Sequence, residues 1–192
     1  MTASATVLRR RLGAVLFAVL FLTAMPGVSS EIPLPEKPRP DAPPRGAVLT
    51  GQDALFFAQS DCRDPERTPL TPWTPGPAEI ARLEKLLPKY MAGQKTPEDY
   101  KPLHEYYRQY IGTVRDGKKR ICVNFLYYNF VRECLERPHL IPVKTTVQKG
   151  GRAEDFWKQE PIVVNDGGAD FFTVQFDVET GTFKYLGFNG YA

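Results

Sequence analysis

The chain has few groups able to act as nucleophiles. Cys62, Cys122 and Cys134 are its only thiols, and His104 and His139 its only imidazoles. A reactive cysteine needs a base within hydrogen-bond reach, so a cysteine–histidine pair is the one such arrangement available. Three cysteines allow a single intrachain disulfide in any of three pairings and leave one thiol over. Pairing Cys62 with Cys134 joins two irregular segments and leaves Cys122, on a strand, as the thiol for a thiol-dependent enzyme. Against that stands the commoner fate of a free cysteine, which is to pack as a small apolar side chain.

Other chemistries find less support. Beyond residue 29 the only serines are Ser30 and Ser60, and neither lies in a G-x-S-x-G elbow. Two histidines far apart and no Cys-x-x-Cys give no metal motif. Asn165, Asp166 and Asp170 surround Gly167-Gly168 without the spacing of a calcium loop, so they read as a turn. Gly150-Gly151 lacks the flanking pattern of a phosphate-cradling loop. The sequence predicts no catalytic set, no metal and no cofactor.

What it does hold is an aromatic group: Tyr106, Tyr107, Tyr110, Tyr127, Tyr128, Phe156, Trp157 and Tyr185. Tyrosine and tryptophan suit binding surfaces because they join a large contact area to a polar handle. Tyr107, Tyr127, Trp157 and Tyr185 are the candidate binding face, on an exposed sheet surface, for an unknown protein or small-molecule ligand.

These side chains need elements to hold them. Residues 77–87 (PAEIARLEKLL) predict a helix, with Pro77 at its first position, Glu79 at the positive end of its dipole, and Ile80, Leu83 and Leu87 on one stripe. Pro88 marks its expected end, and Thr96-Pro97 a second short helix. From Tyr106 the period changes to two. Residues 106–114 and 119–127 read as strands joined at Asp116-Gly117, and 171–178 and 183–188 as strands joined at Glu179-Thr180-Gly181. Residues 161–164 suggest an edge strand. The expected class is α+β: an N-terminal helix packed on a curled four- to five-stranded antiparallel sheet, which resembles the cystatin-like arrangement in outline.

Domain limits follow from composition. Residues 1–29 carry Arg9, Arg10 and Arg11, then a short apolar run at 14–24, then small residues, which is the order of parts in a signal peptide. The run falls short of the ~20 residues that span a bilayer, so no membrane segment is expected after cleavage. Those three arginines are the whole excess of 25 Lys+Arg over 22 Asp+Glu, so the rest of the chain is balanced and no nucleic-acid partner is expected. Residues 30–50, rich in proline, read as an extended tether, and 51–192 as a single α+β domain, with 51–77 irregular. The destination is export, periplasmic or secreted.

A run of short motifs also points to a family. Cys62 comes first, then Trp73-Thr74-Pro75, Tyr107-Arg108-Gln109-Tyr110-Ile111-Gly112 and Asp116-Gly117-Lys118-Lys119-Arg120-Ile121. Asp166-Gly167-Gly168 with Phe171-Phe172 follows, then Phe188-Asn189-Gly190-Tyr191-Ala192. Over about residues 60–192 the chain resembles an uncharacterised family of small exported bacterial proteins, which has no assigned activity. The resemblance implies a cysteine just before the DGG turn; Asn165 stands there instead, and Cys134 is the substitute.

Overall fold

The computed structural model describes residues 34–62, 69–137, 139 and 153–190, so the leader assigned to 1–29 lies outside the described residues. Residues 32–192 form one compact unit. Its elements are β1 (Gly46–Leu49), α1 (Gln52–Ser60), β2 (Thr71–Trp73), α2 (Pro77–Ala92), β3 (Tyr106–Arg115), β4 (Lys118–Tyr127), α3 (Tyr128–Glu136), β5 (Phe171–Asp177) and β6 (Thr182–Phe188). The class is α+β, and the six strands make an open, mostly antiparallel sheet in the order β1-β3-β4-β5-β6. β1 and β2 share one edge of β3: β1 runs parallel beside Arg108–Ile111, and β2 antiparallel beside Gly112–Val114.

Two turns set the sheet. Asp116 and Gly117 take φ of 50° and 76°, the paired positive values that match the twist of a two-residue hairpin. Gly181, at φ 67°, closes the second hairpin. The resulting register lines side chains up in rows. On one face Phe125, Phe172 and Phe188 form a row, and Tyr110, Val123, Val174 and Leu186 another. α2 packs over them through Leu83, Leu87 and Met91. It starts with one half of a capping box, in which the Gly76 N–H donates to Glu79 Oε2 at 2.9 Å. It also continues through Pro88 to Ala92 instead of ending there. Pro88 is exposed, so water can reach the carbonyl whose partner the ring removes.

The opposite face carries the alternate residues, and it is covered too. Tyr107, Leu126 and Phe171 form a row under α3 and the 3-10 turn Ala153–Lys158. Ile111 and Cys122 lie under α1 with Leu49, Ala54 and Phe57. Between these two apolar patches runs a polar row: Gln109, Asn124 and Thr173.

Several expectations need correction. The sheet has six strands, not four or five, and helices cover both faces, so no open sheet face remains. Residues 46–49 belong to the sheet and not to a tether, since Val48 and Leu49 match the apolar rows of β3. The proline-rich run before them is pinned as well, with Pro38 buried and Lys37 Nζ 2.8 Å from Glu105 Oε1. Residues 52–60 are helical because Ala54, Phe57 and Ala58 share a buried stripe. Thr96-Pro97 starts no helix, and 161–164 is irregular chain rather than a strand.

Candidate binding site

The four residues of the expected binding face do not share a face. Tyr127 is 9% exposed in the α2 core, where its ring tilts against Tyr106 at 5.8 Å. Burial, and then the Glu105 carboxylate, raise its phenol above the ordinary value. Tyr185 is half-buried and sits opposite Gln175 on the outer strand of the other face. Tyr107 and Trp157 do meet, at 3% and 5% exposure, with ring centroids 4.7 Å apart and edge to face.

That pair floors a cleft of about 480 Å³ lined by Pro44, Arg45, Gly46, Tyr107, Asp155, Trp157 and Lys158. Its volume falls within the range of small-molecule sites. Arg45 lies against Tyr107. Its Nη1 donates to Tyr107 Oη at 2.7 Å, and its guanidinium lies 5.5 Å from that ring's centroid. Lys158 lines the cleft as well, its Nζ 5.4 Å from the Trp157 centroid and 2.5 Å from Asp155 Oδ1.

The lining is fixed by backbone. The carbonyl of Arg45 accepts the Arg108 N–H at 2.9 Å, which locks the residue at the head of β1. Trp157 is fixed from the polar row: Gln109 Nε2 donates to the Trp157 carbonyl at 2.6 Å and to the Glu160 carbonyl at 2.8 Å. Gln109 Oε1 in turn accepts from Asn124 Nδ2 at 2.8 Å and from the Ile162 N–H at 3.0 Å. Asn124 Nδ2 also reaches the Ile162 carbonyl at 2.9 Å. Two buried amides therefore serve the backbone of an irregular segment that has no strand to pair with. The cleft combines an aromatic pair with two cations and one acid in its lining, a set suited to an anionic ligand.

The thiols are arranged otherwise than expected. Cys62 is bonded to Cys122, with Cα atoms 6.0 Å apart, so the Cys62–Cys134 pairing is corrected. Cys62 follows the end of α1 and packs with Ile111 and Cys122, whereas Cys134 lies on α3 in the patch with Tyr107 and Phe156. The polar row separates them. Cys122 thus has no thiol to offer an enzyme. Cys134 lies outside the disulfide and is buried, and burial pushes its thiol up to about 11, with Glu133 adding to the shift. A nucleophile needs the opposite shift. His104 stands 3.9 Å from Glu105, and His139 is exposed.

Sequence reading found Tyr107 and Trp157 but missed Arg45 and Lys158. Lys158 follows Trp157 directly. Arg45 stands where the proline run gives way to Ala47-Val48-Leu49, the signal that a strand begins. Among the described residues, no helix is long and apolar enough to cross a membrane, and no group of three His, Cys, Asp or Glu side chains could hold a metal. No family model, curated protein or solved structure matches the chain.

Proposed function

We propose that this chain is an exported, non-enzymatic binding protein whose Tyr107–Trp157 cleft takes a small molecule bearing a carboxylate or phosphate. The observation that carries the reading is that Arg45, against the Tyr107 ring, and Lys158, against the Trp157 ring, line one cleft above that aromatic pair. An anion between them would gain charge-assisted hydrogen bonds, while its apolar part would rest on the ring edges. Lys158 already holds Asp155, so a ligand competes with that carboxylate for the ammonium. Selectivity for strong anions follows. The order of parts in residues 1–29 and the Cys62–Cys122 disulfide support an oxidising destination, periplasmic or secreted. Kinship with small exported bacterial proteins, and a cystatin-like outline for α2 on β3–β6, belong to the same proposal.

Calorimetric titration with inorganic phosphate and citrate at low salt tests it. Saturable binding should weaken by at least about tenfold in Arg45→Ala and again in Lys158→Ala. It should also fall as salt screens the charges. No saturable binding by either anion, or an affinity unchanged in the double variant, would remove the cleft from consideration.

A further inference from the structure

A second cleft opens where the edge of β3 changes partners. β1 pairs with β3 as far as Leu49–Ile111, and β2 takes over at Trp73–Gly112. Between the two, the chain leaves β1 through Gly51, at φ 99°, and turns into α1. That departure leaves a notch of about 330 Å³. Gly112 lets β2 come this close: a Cβ there would lie 2.3 Å from the Trp73 carbonyl oxygen.

The notch differs in chemistry from the cleft described above. Leu49, Ala54 and Ile111 make a buried apolar floor, with Leu55 and Trp73 as walls. Trp73 is fixed, because its Nε1 donates to the Arg120 carbonyl at 3.2 Å. Thr50 and Thr74 also line the notch and are exposed. Among the described residues, none that lines the notch carries a charge, and Lys119, whose Nζ lies 4.9 Å from the Trp73 centroid, stands outside that lining; Arg45, Asp155 and Lys158 all line the other cleft. An ion entering the notch would lose its hydration against an uncharged lining, while apolar surface gains by leaving water. We infer that this notch is a second ligand site, selective for small neutral apolar molecules that carry at most a hydroxyl. Ring faces fit against Trp73, and the hydroxyl reaches the threonines.

Methyl and indole NMR on the chain tests this, with benzyl alcohol as probe and benzoate and benzylamine as charged counterparts. Benzyl alcohol should shift the Leu49 and Ile111 methyls and the Trp73 indole N–H saturably, with half-saturation on the order of 1 mM. The Trp157 indole should not move. Each charged analogue should bind at least about tenfold more weakly. Ala54→Leu fills the floor and should abolish the shifts. If that variant fails to fold, Leu55→Gln alters only a half-buried wall and should weaken binding several-fold. The proposal falls if the shifts do not saturate, if they centre on Trp157, or if a charged analogue binds as tightly as the alcohol. It falls equally if a folded Ala54→Leu protein or the Leu55→Gln protein binds as the parent does.

Discussion

Under α2, Phe125 stacks on Phe172 at 4.1 Å with planes 5° apart, and Tyr100, Tyr106 and Phe188 pack around them. Its few polar groups are buried with local partners: Arg108 Nε and Tyr110 Oη both donate to Glu84 Oε1, at 3.2 and 2.8 Å, and Tyr106 Oη donates to the Ala169 carbonyl at 2.8 Å. On the other face Gln109 has no exposed surface, and it lies in the middle of the sheet. The two faces are equally closed to water but are held differently. The first is covered by a helix, which satisfies its own backbone, so the sheet offers it mainly apolar volume. The second is covered partly by irregular chain at 157–162, whose N–H and C=O groups must find partners, so the sheet beneath supplies amides. Polar residues on alternate strand positions therefore do not by themselves mark a solvent face.

The largest effect should come from the volume-filled face. Phe172→Ala removes a fully buried ring and should cost about 3–5 kcal/mol, read from the urea midpoint at constant slope. On the amide-held face, Gln109→Leu keeps most of the volume but strips partners from Trp157, Glu160 and Ile162 backbone groups. Each orphaned group costs ~1–3 kcal/mol, less where water enters, so a total of about 3 kcal/mol is expected. A loss below about 0.5 kcal/mol would break the comparison, since it would mean the amides merely fill space. Exchange of the Ile162 amide hydrogen should also accelerate in this variant.

Ionisation sharpens the contrast at high pH. An unfolded Cys134 thiol ionises near 9.0, while the folded one is pushed up to about 11. The folded state therefore holds its proton longer, and this contribution is complete below pH 9 and lost as pH rises through 11. Stability should fall by about 1.4 kcal/mol per pH unit across that window. Above pH 10 the α2 face joins in, because burial pushes the Tyr100 phenol up to about 12. Between pH 9 and 10 the slope belongs to the thiol, and Cys134→Ala should flatten it there. A slope unchanged in that variant would move the alkaline loss to the tyrosine face.

The smallest effect lies at the edge of the amide-held face. Burial acts to raise the Asp177 carboxyl, but hydrogen bonds from Thr180, its N–H at 2.9 Å, overcome this and hold it below 3.8. Its contribution is present above pH 3.8 and fades as pH falls through the lowered folded value. Asp177→Asn should remove this acid limb at a cost of about 1 kcal/mol at neutral pH, checked by urea midpoints at pH 3 and 7.

The same contrast explains what the sequence revealed. α2 and both hairpins were legible because local rules specify them: a proline at the first helical turn, a stripe at helical spacing, and Asp116-Gly117 between alternating runs. The rest depends on contacts between distant residues. α1 hides behind Phe56, an aromatic 74% exposed that blurs the stripe of Ala54, Phe57 and Ala58. β1 is four residues after a proline run and gains its meaning only beside β3. In the site, Tyr107 and Trp157 stood out by type, but nothing local says that Arg45 crosses above Tyr107. The disulfide eluded spacing arguments because the barrier between Cys62 and Cys134 is a polar row, Gln109, Asn124 and Thr173, built from three strands.

The Cys62–Cys122 bond also bears on how the molecule is made. Its two cysteines are consecutive in the sequence. A chain delivered N-terminus first offers Cys62 a single possible partner until Cys134 follows. Wherever oxidation keeps pace with delivery, the native bond is the first one available, and no slow exchange of a wrong pairing need precede folding. The third thiol then arrives after the choice has been made, and α3 carries it into the interior.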